Sequence, residues 1–318
     1  VWMEYAWKKE IHGSILAYLG MKKDHFYSVE NTVDGKFFVT ARGWEDLSEI
    51  LKAYEELGVE ITENLIGEYL CRDEIARSFF ASYQLYRKYG EDYGLKRLLS
   101  GEMAEEEQQK KVKMAEGASF EERFLVTGLL LSGLNGSFLD YEKLDKETGA
   151  VYQELLHLKA FLHDKKDMTA LDEFTDVKKK SLAVRLEAEL LNLEQQTTEE
   201  FVIRTLEEFS LTIRKEHITD TETGFERIRQ LFTEMVEKRK DCAKKISREL
   251  ERAFAFMKAC FGDGQETVLF VTGLTRNSHA AAFIREYGCD PYFACSEKLL
   301  YRKQEKKLQE ECESLLKI

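Results

Sequence analysis

From Phe225 to Phe261 apolar side chains recur in steps of three and four, through Ile228, Phe232, Met235, Cys242, Ile246, Leu250, Ala253 and Met257, with Arg239 in the series. That alternation draws one stripe along an α-helix and predicts a partner helix laid against it, as in a coiled coil. At about 1.5 Å per residue such a helix extends roughly 55 Å, more than the diameter of one ordinary domain. Candidate partner stripes run through Leu182, Leu186, Leu190 and Leu193, or through Phe201, Leu206 and Phe209. Composition favours the same class. The 318 residues hold one proline and 19 glycines, with 33% charged residues, too few turn formers for an all-β sandwich. Apolar content of 43% with 12% aromatics supplies a real core.

Shorter elements precede the rod. Ile11, Ile15, Leu16 and Leu19 predict a helix stopped by Gly20. β-formers on both sides of Asp34-Gly35, between Phe26 and Val39, predict a hairpin, because that dipeptide supplies the positive φ of a tight turn. Thr40 then caps a helix with Trp44, Leu47, Ile50, Leu51 and Tyr54 on one face and Gly58 as terminator. Further helices are expected over about 62–70 and 73–89, the second ended by Gly90. The charged run Met103–Met114 shows no apolar face and reads as a linker within 93–119. After the rod, Thr267–Thr272 reads as a short strand broken by Gly273. A helix from Asn277 to Tyr287 and a charged last helix from Ser296 complete the chain.

A formal charge of −12 repels phosphate backbones, so nucleic acid is not an expected partner. The longest apolar stretch, Phe124–Leu134, is interrupted by Thr127, Gly128, Ser132 and Gly133. It falls short of the roughly 20 residues that span a bilayer, so a buried helix is expected and no membrane. The opening Val1-Trp2-Met3-Glu4-Tyr5 has neither basic region nor small-residue cleavage site. Six cysteines (Cys71, Cys242, Cys260, Cys289, Cys295, Cys312) without CxxC pairs fit reduced thiols, and a cytoplasmic location is expected.

Chemistry-bearing constellations are sparse. No G-x-x-x-x-G-K-[ST] string occurs, and Val268–Val271 continues into Thr-Gly-Leu-Thr without the acidic residue that holds magnesium. This chain alone is not expected to hydrolyse ATP. His279, Cys289 and Cys295 match no usual zinc spacing. His12 and His25 have no acid or nucleophile that periodicity brings alongside, and read as solvated or core histidines. Gly273–Asn277 could hold an anion at a helix start, or Thr275 or Asn277 could simply cap that helix. Arg42 stands out. It occupies a first helical turn, where the macrodipole disfavours a cation, and either an anion or the carboxylates of Glu45 and Asp46 would compensate it.

The stretch Phe26 to Tyr54, above all Phe38-Val-Thr-Ala-Arg-Gly-Trp-Glu-Asp-Leu-Ser48, resembles the lid subdomain of MoxR-type AAA+ ATPases. The first residues, Val-Trp-Met-Glu-Tyr-Ala-Trp-Lys-Lys-Glu-Ile-His, look like such a lid entered midway. The likeness is specific over roughly residues 1 to 90, and softer for Gly262–Thr272 with Gly288-Cys-Asp290. It implies that Arg42 is the second sensor of nucleotide state, reaching the γ-phosphate of ATP held with Mg by a core domain N-terminal to Val1. It also implies a ring oligomer, usually a hexamer, chaperone-like remodelling of a partner protein, and an association with a von Willebrand factor A domain protein. Both nucleotide-binding motifs and the first sensor are absent, so catalysis belongs only to a longer chain.

The expected fold is mainly α. A lid-like helical subdomain with a small hairpin covers 1–92, a charged linker 93–119, a long-helix bundle or coiled coil 120–262, and a small strand-turn-helix unit 263–318. The competing reading is a self-contained helical scaffold or adaptor that binds protein through its long amphipathic helix.

Overall fold

A computed structural model describes residues 2–32, 35–163, 165 and 167–298. Among them the chain is mainly helical, with a single two-stranded antiparallel sheet. It divides into two compact units, one built from residues 1–138 and 245–318, the other from 139–244. Two long helices, α8 (Phe120–Leu162) and α11 (Thr221–Phe261), contribute residues to both.

The first unit begins with α1 (Trp2–Lys8) and α2 (Gly13–Met21), followed by a 3-10 turn over Lys23–His25. Strands β1 (Ser28–Thr32) and β2 (Gly35–Val39) then pair in the register Val29 to Phe38. The hairpin is where the sequence predicts it, although Asp34 of its turn lies outside the described residues. Helix α3 (Ala41–Leu57) starts as Thr40, extended at φ −135°, accepts the Gly43 N–H at 3.2 Å. It ends at Gly58, whose φ of 66° suits a residue without Cβ. Thr62 caps α4 (Glu63–Tyr69) in the same way. Helix α5 (Asp73–Tyr93) runs one turn past the expected stop at Gly90 and terminates at Gly94.

These short helices converge on Trp44, Tyr18 and Phe79, all shielded from solvent. Phe79 meets the Trp44 and Tyr18 rings edge-on, each at 5.3 Å between centroids. The indole N–H of Trp44 donates to the Phe26 carbonyl at 3.2 Å. Each such side chain contributes about 1.5–3 kcal/mol by leaving water, and the edge-on geometry adds to that.

The segment 93–119, expected as a linker, carries α6 (Leu95–Ser100) and α7 (Glu105–Glu116). Leu95, Leu98, Leu99 and Ala115 are buried. Helix α7 shows little apolar face, as its sequence indicates, but Arg97 holds Glu107 through two bonds of 3.0 and 2.9 Å. The early turns of α8 pack closely, since a Cβ on Gly128 would stand 2.9 Å from the Ala17 Cβ. The interruptions in the apolar stretch Phe124–Leu134 are therefore close-packing sites of a buried helix. No described helix is long and apolar enough to cross a membrane.

The expected strand Thr267–Thr272 is a helix. It lies inside α12 (Gln265–Arg276), which is followed by α13 (Ser278–Tyr287). Thr267, Phe270, Val271 and Leu274 are all buried, and their spacing of three and four makes a helical face that overrides β-propensity. Gly273, read as a breaker, sits where a Cβ would approach Leu131 Cδ1 to 2.5 Å. Residues 290–298 form one more helical segment, with the single proline, Pro291, in its first turn, where no N–H is needed. Beyond residue 298 the expected last helix lies outside the described residues.

The second unit joins the later part of α8 to α9 (Ala170–Glu187), α10 (Leu193–Lys215) and the first part of α11. Its core contains Val151, Leu155, Leu158, Leu171, Leu206, Phe209, Ile213 and Ile228. Of the two partner stripes considered, the one through Leu206 and Phe209 shares this core with α11. Leu190 and Leu193, 68% and 76% exposed, fall at the break between α9 and α10. Asn192 opens α10 with a reciprocal capping box to Gln195.

Candidate functional site

Arg42 stands in the first turn of α3, a turn with no acidic side chain. Its helix is anchored by Trp44, Leu47 and Leu51, none of them accessible to solvent. The Arg42 side chain itself is 79% exposed. Its Nε donates to Asp46 Oδ2 at 3.0 Å, one turn along the same helix. Of the two candidate carboxylate partners, Glu45 instead accepts the Tyr5 hydroxyl at 3.2 Å, from α1. The helix start thus presents a planar, multidentate cation held by one surface ion pair, while Thr40 accepts the Gly43 N–H. Such pairs are weak and exchange readily, so a phosphate oxygen could displace Asp46.

His12 is not solvated, nor is it a lone core histidine. Its Nε2 lies 3.1 Å from Glu55 Oε2 and its Nδ1 lies 2.7 Å from Ser14 Oγ. Tyr83 donates to the other Glu55 oxygen at 2.8 Å. Burial alone would raise the Glu55 pKa, but the hydrogen bond from His12, the His12 charge and the Tyr83 bond pull it below its ordinary value. Burial, then the Glu55 hydrogen bond and charge, push the Tyr83 hydroxyl well up. Ser14 is buried in the first turn of α2, so no substrate reaches its hydroxyl. The triad-like order of atoms serves to cap α2 and tie it to α3. Sequence reasoning missed it because residues 12 and 55 meet only through the tertiary fold.

Other residues considered from sequence resolve locally. Asn277 Oδ1 accepts the N–H groups of His279 and Ala280 at 3.0 and 3.2 Å, which makes it the cap of α13. Its Nδ2 donates to Asn135 at 2.6 Å. His25 Nδ1 meets the Tyr18 hydroxyl at 2.6 Å, and burial, then Lys22, lowers its pKa. The five described cysteines are free thiols, and burial pushes that of Cys260 up to about 12. Cys312 lies outside the described residues. Among the described residues no three His, Cys, Asp or Glu side chains converge as a metal site.

One cavity of about 720 Å³ opens in the first unit among α2, α5, α8 and α12. A signal for it was present in the sequence, since Ser78, Ala81 and Ser82 put small side chains at helical spacing among the aromatics of α5. A scan against protein-family models, a search of curated proteins and a search of solved structures each find no match for this chain.

Proposed function

We propose that this chain is the lid and helical C-terminal portion of a MoxR-type AAA+ ATPase, in which Arg42 senses nucleotide state. The observation that carries the reading is the setting of Arg42: an exposed guanidinium in the first turn of a capped, core-anchored helix, held by one surface carboxylate. The resemblance of Phe38–Ser48 to the family's lid supports the same role. ATP and Mg would be bound by a core domain N-terminal to Val1, and Arg42 would contact the γ-phosphate in one state only. A contact made in one state is what shifts a conformational equilibrium. The long helices α8 and α11 would act as lever and partner platform in a ring assembly, in concert with a von Willebrand factor A domain protein. The scaffold reading has less support, because Ile228, Ile246, Leu250 and Met257 of α11 are buried within the chain's own units.

The test is Arg42→Ala in the ATPase chain that carries this lid, with turnover and partner remodelling measured together. Loss of one transition-state donor lowers turnover about a hundredfold to a thousandfold while circular dichroism stays unchanged. Unaltered turnover and coupling would defeat the reading, as would coding DNA that contains no phosphate-binding motif in frame with this chain.

A further inference from the structure

The cavity among α2, α5, α8 and α12 lies in the size range of small-molecule sites. Its shape follows from sequence. Helix α5 contributes Ser78, Ala81, Ser82 and Leu85 to its wall, spaced by three and four, and the first three are too small to fill the space. Phe124 and Leu125 of α8 and Val268 and Leu269 of α12 supply apolar walls. Phe120 and Leu269 remain 58% and 36% exposed, so the trough leaves apolar surface in water.

Its polar groups are few and uneven. Lys22 Nζ donates to Ser78 Oγ at 2.8 Å and lies 5.9 Å from the centre of the Tyr18 ring. Both partners are neutral, and among the described residues the Lys22 ammonium joins no carboxylate. On the same α5 wall Ser82 Oγ is buried without a hydrogen-bond partner, which is uncommon for a hydroxyl. The other charged group at the cavity is Glu121, from the first turn of α8. One cation favours an anionic head, and the Glu121 carboxylate opposes a second negative charge.

We propose that this cavity binds a long-chain monocarboxylate, its head at Lys22 and its alkyl chain along the α8 and α12 walls. The inference stands independently of the ATPase reading. A charge-assisted bond to Lys22 supplies orientation, and burial of methylenes supplies affinity.

The experiment is displacement of a fluorescent fatty acid from the whole chain by octanoate, dodecanoate and palmitate, below their micelle concentrations, with hexadecanol as the uncharged control. One saturable site is expected, tightening about twofold to fourfold per added methylene until the trough is full. Lys22→Met should weaken palmitate about tenfold or more and leave hexadecanol unchanged. Ala81→Phe, at an exposed position on the wall, should block both ligands with the circular dichroism spectrum intact. Non-saturable uptake, absence of binding, or equal affinity for palmitate in wild type and Lys22→Met would overturn the proposal. A long-chain dicarboxylate binding as tightly as palmitate would overturn the part assigned to Glu121.

Discussion

The core of the first unit, centred on tryptophan and tyrosine rings with polar handles, and the core of the second, whose rings are phenylalanines, solve the same problem by different means. In the first, helices of 7, 9, 17, 7 and 21 residues gather around Trp44, Tyr18 and Phe79. Their rings also carry polar contacts, from Trp44 to the Phe26 carbonyl, from Tyr18 to His25 and from Tyr83 to Glu55. In the second, helices of 18 and 23 residues join stretches of two helices more than 40 residues long. Leucine, valine, isoleucine and phenylalanine fill its core, and many of its ion pairs lie at the surface. Helices shorter than about 12–15 residues are marginal alone, so α1, α2 and α4 of the first unit depend on the buried contacts they make there. Long helices spread the same task over many interchangeable ones.

The largest break in this contrast should come from Trp44→Ala. Removing the ring forfeits its burial and leaves a cavity, at about 3–5 kcal/mol. Hydrogen exchange should show lost protection across α2, α3 and α5 with the core around Leu206 retained. Equal loss in both regions would mean that the two units unfold as one. The reciprocal substitution, Leu206→Ala, should cost about 2–3 kcal/mol, because neighbouring aliphatic chains collapse partly into the space. Its exchange signature should fall on α9 and α10 instead.

A smaller effect sharpens the role of polar contacts. Glu55→Gln should reduce stability by about 1 kcal/mol at neutral pH, a value discounted for partial exposure. The folded-state pKa of Glu55 is depressed, so its contribution is fully present above the ordinary value of 4.5 and is lost as pH falls through the lower folded value. Denaturant midpoints of wild type and variant should therefore converge in acid. A gap that persists below that window would place the effect in packing alone. At the bottom of the scale, Lys179→Ala breaks an exposed pair with Glu207 in the second unit, and no measurable shift in the thermal midpoint is expected.

The same contrast explains which features were readable before any coordinates. Thr40 with Gly58, and the α11 stripe, are local codes: caps act within three or four residues, and a stripe needs only the period of its own helix. The mainly helical class, the hairpin and the position of Arg42 in a first turn follow from such codes. Thr267–Thr272 misled because β-branched residues favour strands only in the absence of a competing face, and packing beneath α8 supplied one. Gly90 and Gly273 look like breakers, yet Gly273 stands beside Leu131, and helix α5 passes through Gly90 to end at Gly94.

Whereas α6, α7 and α12 escaped them, periodicity, capping residues and the scarcity of proline did specify the helical class and elements such as α2, α3, α11 and α13. They act over a few residues, where the backbone alone sets geometry. The partnership of His12 with Glu55, the pairing of Asn135 with Asn277, and the trough above Ser78 and Ala81 required the assembled tertiary structure. Each joins residues far apart in sequence, and no local rule of spacing reaches across the 142 positions between Asn135 and Asn277.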